Sequence, residues 1–288
     1  MIRAAAVARY ADWSHPERRA RLFCAALPLG TALGYVIGGL VGEAHGWRAA
    51  LFAAGLAIMV LALREPTRGV RHEVRGLRLS LPALADRQSY LVNTAAQVVY
   101  TFAVGGLATW MPLYVARERG VPTDIAATTF GLLLVAAGLV GTLTGDRVAR
   151  AVARRWHGGD FTVSGWSLVA SLAFTPVALL AAAPVVVWTA MFATLLLLFI
   201  NIGRLNAAMA DVLPAELRAT GFLVATMSIH LLGDAVSPFL IGAASQRMGL
   251  QLPVLVTGCL LPVAGLLLLW GRATLARDLA RAGALARC

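Results

Sequence analysis

The chain has 288 residues, of which 59% are hydrophobic and 14% are charged. This composition leaves too little polar surface for a water-soluble domain and indicates a protein of the lipid bilayer. The formal net charge of +11 comes from arginine alone, since no lysine occurs. Because the arginines lie in short segments beside apolar stretches, we interpret them as membrane topology and expect no nucleic-acid partner.

Eight apolar stretches approach the roughly 20 residues that a helix needs to cross a bilayer. They predict an all-α polytopic membrane protein with about eight transmembrane helices. In chain order the predicted spans are 20–42, 47–63, 89–116, 128–149, 165–183, 184–210, 219–245 and 252–270.

The arginines support this helix count. If the spans alternate across the bilayer with the loop 12–19 in the cytoplasm, 20 of the 25 basic residues fall on the cytoplasmic side. Four fall on the opposite side, and Arg204 lies inside a span. The imbalance agrees with the positive-inside rule, and it would disappear if one helix were miscounted.

Residues 11–34 recur without a gap at 210–233, in a repeat that includes polar residues. Asp12 matches Asp211 and Arg19 matches Arg218 in equivalent cytoplasmic loops. Repeated helical units are common in transporters. The two copies end in the first and seventh predicted spans, so the repeating unit has six helices.

This unit predicts the organisation of the whole chain. Spans three to eight form one complete unit, and the first two spans end an earlier one. We therefore expect four helices to be missing before the first span, with residues 1–10 being the end of a fourth helix. The predicted parts are a remnant of a first half at 1–63, a basic cytoplasmic linker at 64–88, a complete six-helix half at 89–272 and a cytoplasmic tail at 273–288.

Two halves of six helices joined by a basic cytoplasmic loop resemble the plan of the major facilitator superfamily. The first span carries small residues that resemble the glycine-rich motif of that superfamily's fifth helix, and residues 64–69 resemble the exit from its sixth. The motif residues of the first span are Ala32, Gly34, Gly38 and Gly39. The resemblance implies a helical bundle equivalent to helices 5 to 12 of 12.

Two further runs resemble the Spinster-like branch of the superfamily. The first resembles its seventh helix and comprises Phe102, Gly105, Gly106, Leu107, Trp110, Met111 and Pro112. The second resembles its eleventh and comprises His230, Leu231, Leu232, Gly233, Asp234, Ser237, Pro238, Ile241 and Gly242. The resemblance implies a secondary transporter for an amphiphilic or lipid-like solute, such as a lysophospholipid or sphingoid phosphate, with proton coupling as one option and no cofactor.

The sequence departs from the family pattern near the cytoplasmic ends of two spans. Arg204 occupies a position where the family often has proline. Gly145, Asp146, Arg147 and Arg150 reproduce only part of the family's cytoplasmic gate.

Polar residues within two spans follow helical spacing. In the seventh span, Thr226, His230, Asp234 and Ser237 are separated by steps of four, four and three. In the third span, Asn93, Gln97 and Tyr100 also share a face. Because polar groups in hydrocarbon usually face a bundle interior or a wet cavity, the two stripes predict one central cavity.

Asp234 and His230 are candidates for proton coupling. A carboxylate inside a span could bind and release a proton, and His230 lies one turn away and could share it. The alternatives are packing roles, in which each group forms a hydrogen bond with a neighbouring helix. The pair could also supply two metal ligands, but no third ligand is evident, so we predict no metal site.

Arg204 and Asn201 have two interpretations each. Arg204 could clamp the phosphate or carboxylate of an anionic solute, or it could extend its charged end to the membrane interface. Asn201 could hydrogen-bond the solute or a neighbouring helix.

Charged residues in the cytoplasmic loops are expected to have structural or gating roles. Asp211 with Arg218, and Asp12 with Arg19, are expected either to cap the next helix or to pair across the halves as a gate. Trp110 and Pro112 lie near the outer end of the third span, where an aromatic residue is usually an interfacial anchor. Cys24, Cys259 and Cys288 have no paired spacing.

Three functional hypotheses follow. The first is a transporter in the inner membrane of a bacterium, to which the arginine and alanine bias points. The second is an inactive truncated fragment, which would need a partner chain supplying the four missing helices. The third is a membrane-embedded hydrolase or acyltransferase using His230 and Asp234, for which no nucleophile is evident. The sequence contains no nucleotide-binding glycine loop of the kind found in ATP-driven pumps.

Overall fold

The computed structural model describes residues 77–153 and 159–285, together with residues 46, 48, 49 and 52. The first predicted span, nearly all of the second and about half of the predicted linker lie outside these described residues. The longer described ranges are helical and contain no strand. The helices are α1 (Leu77–Ala85), α2 (Gln88–Arg119), α3 (Thr123–Ala153), α4 (Gly159–Leu180), α5 (Pro184–Phe199), α6 (Ile202–Val212), α7 (Ala215–Ile229), α8 (Ser237–Met248), α9 (Gln251–Gly258) and α10 (Leu261–Leu285).

Six segments of the described chain are long and apolar enough to cross a membrane. They correspond in order to the last six spans that the sequence predicts, and they confirm the all-α membrane fold. The candidate segments are Gln88–Arg119, Thr123–Gly145, Gly159–Leu180, Pro184–Val212, Glu216–Met248 and Gln251–Ala282. In Glu216–Met248 only 22% of the apolar window is buried, against 39 to 47% in the other five, so this segment lies at the periphery of the bundle.

Three of these segments are interrupted. The fourth breaks at Ile200 and Asn201, between α5 and α6. The fifth passes from α7 into a π-helical turn at His230–Asp234 and then into α8. The sixth breaks between α9 and α10, where Pro262 in the first turn of α10 lacks the N–H that a continuous helix would need.

The break in the fourth segment lies against two glycines of α3. Gly141 and Gly145 are separated by one helical turn and both face the end of α5. A Cβ atom at Gly141 would lie 2.9 Å from the Leu196 carbonyl oxygen, and one at Gly145 would lie 2.8 Å from that of Ile200. Small residues at this spacing let two helix backbones approach closely, which positions the break in the bundle interior.

The last helix extends beyond the predicted tail boundary. Residues 273–285 continue α10, and Leu275 is fully buried. Asp278 is also buried, and its Oδ2 atom accepts hydrogen bonds from the backbone N–H of Ser89 at 3.0 Å and from the Ser89 hydroxyl at 2.5 Å. A carboxylate at a helix N-terminus satisfies donors that have no partner within that helix. Asp278 therefore caps α2 from another helix and holds the tail against the bundle.

The contact between α3 and the break gives a stability prediction. Gly145→Ala places a methyl group against the Ile200 carbonyl, so the helices must separate, and we expect a loss of about 1–2 kcal/mol despite the better helix propensity of alanine. Thermal unfolding in detergent micelles measures the effect. Ala136→Val adds volume on an exposed face of the same helix and serves as the control. Equal melting temperatures for the two variants would contradict the prediction.

Candidate functional site

His230 and Asp234 form a hydrogen-bonded pair. The His230 Nδ1 atom lies 2.7 Å from the Asp234 Oδ2 atom. Their side chains are 64% and 39% exposed, so the pair is reachable from outside the described bundle. Each group supplies a site for the same proton, and the sequence-predicted proximity of the two residues is present in the structure.

The pair lies on the π-helical turn of the fifth segment. The Ala235 N–H donates to the His230 carbonyl at 2.9 Å, a bond across five residues instead of four. Such turns insert one extra residue into a helix and occur frequently at functional sites. Pro238 adds to the irregularity because it has no N–H to offer the Asp234 carbonyl. The backbone that carries Asp234 is therefore not held by a regular helical ladder.

Contacts with α2 hold this irregular turn. Gly233 packs against the α2 backbone, where an added Cβ would lie 3.1 Å from the Phe102 nitrogen. Gly105 leaves room for Asp234, since an added Cβ would collide with the Asp234 carboxylate. The two runs that resemble Spinster helices seven and eleven thus pack against each other, and small residues on one side accommodate larger ones on the other.

Trp110 belongs to the same contact. Its indole Nε1–H donates to the Pro238 carbonyl at 3.0 Å. An added Cβ at Gly242 would lie 2.9 Å from the indole ring, so the ring covers this glycine. Trp110 is only partly exposed, and its polar atom is used between helices. This contact differs from the interfacial anchor that its position near the end of a span suggested.

The predicted polar stripe of this segment divides into two parts. Thr226 is exposed, as is His230, whereas Ser237 is completely buried against α2 near Gly106. The Ser237 hydroxyl has no hydrogen-bond partner among the described residues. The extra residue of the π-helical turn changes the register, so Ser237 does not continue the exposed face that spacing alone predicted.

The polar stripe of α2 is buried and does not share a space with His230. Asn93 donates from Nδ2 to the Leu205 carbonyl at 2.7 Å, and Gln97 donates from Nε2 to Asn93 Oδ1 at 3.2 Å. The Tyr100 hydroxyl donates to the Leu198 carbonyl at 3.1 Å. The prediction of one cavity lined by both stripes is therefore wrong for the described bundle, because the α2 stripe is directed at α5 and α6.

Asn201 lies at the break itself and is completely buried. Its Nδ2 atom donates to the Leu197 carbonyl at 2.8 Å, and its Oδ1 atom accepts from the Ser167 hydroxyl at 2.9 Å. The Asn201 backbone N–H donates to the Leu198 carbonyl, across three residues. The side chain thus supplies bonds that the interrupted helix lacks, which agrees with the helix-contact alternative for Asn201.

Arg204 is buried among three helices. Its Nη1 atom donates to the Gly145 carbonyl of α3 at 3.0 Å, and its Nη2 atom lies 3.3 Å from Asp160 Oδ1 at the start of α4. The Arg204 side chain is 2% exposed. Neither the solute clamp nor the extension to the interface describes this placement, because Asp160 and the Gly145 carbonyl of α3 already engage the guanidinium.

The loop after α6 is fastened by Arg218. Its Nε atom donates to the Ala210 carbonyl at 2.8 Å and to the Leu213 carbonyl at 3.2 Å. These groups are at the end of α6, where carbonyls lack helical partners. Arg218 therefore caps the preceding helix and not the next one, while Asp211 is exposed and Pro214 is the residue before α7.

In the part of the chain that the structure describes, the other charged residues predicted for a cytoplasmic gate make few contacts. Arg147 is exposed and makes a long contact of 3.4 Å with the Leu143 carbonyl of its own helix. The side chains of Asp146 and Arg150, and the whole of Asp12 and Arg19, lie outside the described residues.

A small apolar cavity of about 50 Å³ lies between α2, α3, α4 and α5. Three hydroxyl-bearing residues reach it, but each hydroxyl donates to a backbone carbonyl: Tyr100 to Leu198, Thr175 to Ser171 and Thr194 to Ala190. The cavity is thus lined by apolar surface, and the His230–Asp234 pair is not among its lining residues.

Sequence reasoning missed two acidic residues. Asp160 lies in the first turn of α4, where the helix dipole favours a carboxylate, and this position was the available signal. Asp278 lies among the arginines of residues 272–287, and its partner Ser89 is on another helix, so the sequence offers no local signal for its burial.

The ion pair between Arg204 and Asp160 gives a second stability prediction. Asp160→Asn leaves the buried guanidinium beside a neutral amide, and we expect a loss of about 2 kcal/mol, discounted because Asp160 is 35% exposed. Asp124→Asn changes an exposed carboxylate in the first turn of α3 and is expected to cost about 0.5 kcal/mol. Thermal unfolding in micelles compares the two variants. An equal loss of stability in both would contradict a stabilising ion pair between Arg204 and Asp160.

Comparison with known proteins assigns the fold to a family. A family model described as the Major Facilitator Superfamily matches residues 1–238. Two solved structures of a bacterial homologue of the human lysosomal transporter Spinster superimpose on the chain. The inward-facing occupied form has a TM-score of 0.64 at 16% identity and covers 93% of this chain and 73% of its own. The unoccupied form has a TM-score of 0.63 at 15% identity and covers 87% and 65%.

Curated relatives by sequence are Spinster proteins. The zebrafish (Danio rerio) protein named sphingosine-1-phosphate transporter SPNS2 is 30% identical over 256 residues, covering 79% of this chain and 50% of its own. Protein spinster of Drosophila melanogaster is 28% identical over 253 residues, covering 79% and 41%. Protein spinster homolog 1 of Bos taurus is 30% identical over 276 residues, covering 83% and 51%. The chain spans about half the length of these relatives.

These matches agree with the family that the sequence motifs suggested. Members of this superfamily are transporters and not enzymes, so the hypothesis of a membrane-embedded hydrolase or acyltransferase is wrong. The chain belongs to the major facilitator superfamily, and its similarity within that superfamily is to Spinster proteins.

Proposed function

We propose that this protein takes part in secondary transport of an amphiphilic, lipid-like solute across the cell inner membrane, with protons as the coupling ion. The printed name of the zebrafish relative, a sphingosine-1-phosphate transporter, supports the solute class. The six-helix unit at 89–272 serves as the C-terminal half of the transporter. The exposed face of its fifth segment is turned toward the transport path.

The observation that carries the proposal is the His230–Asp234 pair. Ionisable groups inside apolar segments are rare and usually functional, and this pair is only partly buried. When the pair holds a proton on His230, an imidazolium faces a carboxylate and the pair is neutral overall. When the proton leaves, the pair carries one negative charge. A change of charge inside the membrane is what a proton-coupled cycle needs to favour one conformation over another.

Few other titratable groups face the pair from the described helices. The Tyr100 hydroxyl of α2 is engaged elsewhere, because it donates to the Leu198 carbonyl. On the same segment, Glu216 is 18 residues before Asp234 and Arg247 is 13 residues after it. At the helical rise these separations are roughly 27 and 20 Å, so both lie far from the pair along the axis. The proton site therefore consists of His230 and Asp234.

The hydrogen bond within the pair supports this role over packing. A packing carboxylate would be expected to bond a donor on a neighbouring helix, whereas the Asp234 Oδ2 atom bonds His230 of its own segment. The neighbouring helix instead presents Gly105, which gives the carboxylate space. The arrangement favours a group that must gain and lose a proton in place.

Asp234→Asn tests the coupling. The amide cannot take up the proton, so we expect uptake driven by an inward proton gradient to fall by more than tenfold, while exchange of solute without a gradient persists. Uptake of a fluorescent lysophospholipid and a fluorescent sphingoid phosphate into proteoliposomes measures both activities.

Asp124→Asn, at an exposed carboxylate in the first turn of α3, is the matched control and should retain uptake. Unchanged proton-driven uptake by the Asp234→Asn variant would refute the coupling role. Absence of solute movement by the unsubstituted protein, under every gradient tested, would refute transport by this chain on its own.

A further inference from the structure

We propose that Trp110 is a positioning residue for the His230–Asp234 pair, acting through Pro238. The inference rests on the proposed function of that pair. It addresses how an irregular helical turn keeps two side chains in a fixed hydrogen bond while both remain accessible.

Asp234 sits on backbone that lacks its usual support. The His230 carbonyl is taken by the Ala235 N–H through the bond of the π-helical turn. Pro238 offers no N–H to the Asp234 carbonyl. Only four residues, or about one helical turn, separate Asp234 from Pro238. The orientation of Asp234 therefore depends on where the first turn of α8 is held.

Trp110 holds that first turn. The indole Nε1–H donates to the Pro238 carbonyl at 3.0 Å, and this bond connects α2 directly to the proline. The ring also covers Gly242, one turn further along α8, where no side chain competes for the space. One residue of α2 thus fixes α8 both by a directional hydrogen bond and by a flat packing surface.

A second contact on α2 links the position of α8 to the geometry of the His230–Asp234 hydrogen bond. Gly105, five residues before Trp110, lies directly against the Asp234 carboxylate. If α8 moves relative to α2, the carboxylate leaves the space at Gly105 and its geometry toward His230 changes. Trp110 and Gly105 together define the position in which the pair can form its hydrogen bond.

Trp110→Phe tests the proposal because phenylalanine keeps a ring over Gly242 and removes the donor. The readout is the Nδ1 resonance of His230 in protein labelled with ¹⁵N-histidine and reconstituted in liposomes. The chain has five histidines, and His230→Gln assigns the signal by its loss. Asp234→Asn gives the reference position of a His230 that has lost its carboxylate partner.

We expect Trp110→Phe to move the His230 resonance toward that reference and to reduce proton-driven uptake roughly three- to tenfold, the range for one hydrogen bond. Trp166→Phe is the matched control, because Trp166 is exposed on α4, and it should leave the resonance in place. Melting temperatures of both variants establish that each remains folded.

An unchanged His230 resonance in folded Trp110→Phe protein would overturn the positioning role, whatever happens to uptake. A shifted resonance supports it. A shifted resonance with full proton-driven uptake would support the positioning role and refute the coupling function proposed for the pair, so the two ideas fail separately.

Discussion

The described bundle depends on one constraint: backbone polar groups exposed by a helix break in apolar surroundings must find partners within the protein. The break at Ile200 and Asn201 exposes carbonyls at the end of α5. Asn201 and Tyr100 donate to these carbonyls, and glycines of α3 bring a neighbouring backbone alongside. Most buried polar side chains near the centre of the described unit therefore serve to hold its helices together. Their presence inside a membrane segment is explained without any ligand.

The π-helical turn at His230–Asp234 is held in a different way. At the π-helical turn, α2 contributes glycines and one indole, and the two ionisable side chains of the turn bond each other. A break whose polar groups are satisfied by neighbouring helices is rigid, whereas a turn whose ionisable groups are left to one another can change its charge. Of the three interruptions, the one at Asn201 is thus bonded mainly to neighbouring helices, and the one at His230–Asp234 carries two ionisable groups that bond each other.

The sequence predicted the helical segments well because their length and apolar character follow directly from the bilayer. It also predicted that His230 and Asp234 lie close together, since a spacing of four on a helix brings side chains together in either an α or a π form. It did not predict which neighbour a polar face meets. Asn93, Gln97 and Tyr100 share a face, as expected, but that face is directed at α5 and α6, and nothing local to α2 encodes this. The same applies to Arg204, whose partner Asp160 lies on another helix, and to Ser237, whose register is set by an inserted residue.

The tie between Asp278 and Ser89 joins the last helix of the unit to its first transmembrane helix. Gly271, two turns earlier on α10, lies against Val92 of the same partner, so the two helices are fastened over a length and not at one point. The same helix α2 carries Gly105 and Trp110, which contact the turn at His230–Asp234 and the start of α8. One helix therefore contacts both the C-terminal end of α10 and the turn that holds His230 and Asp234.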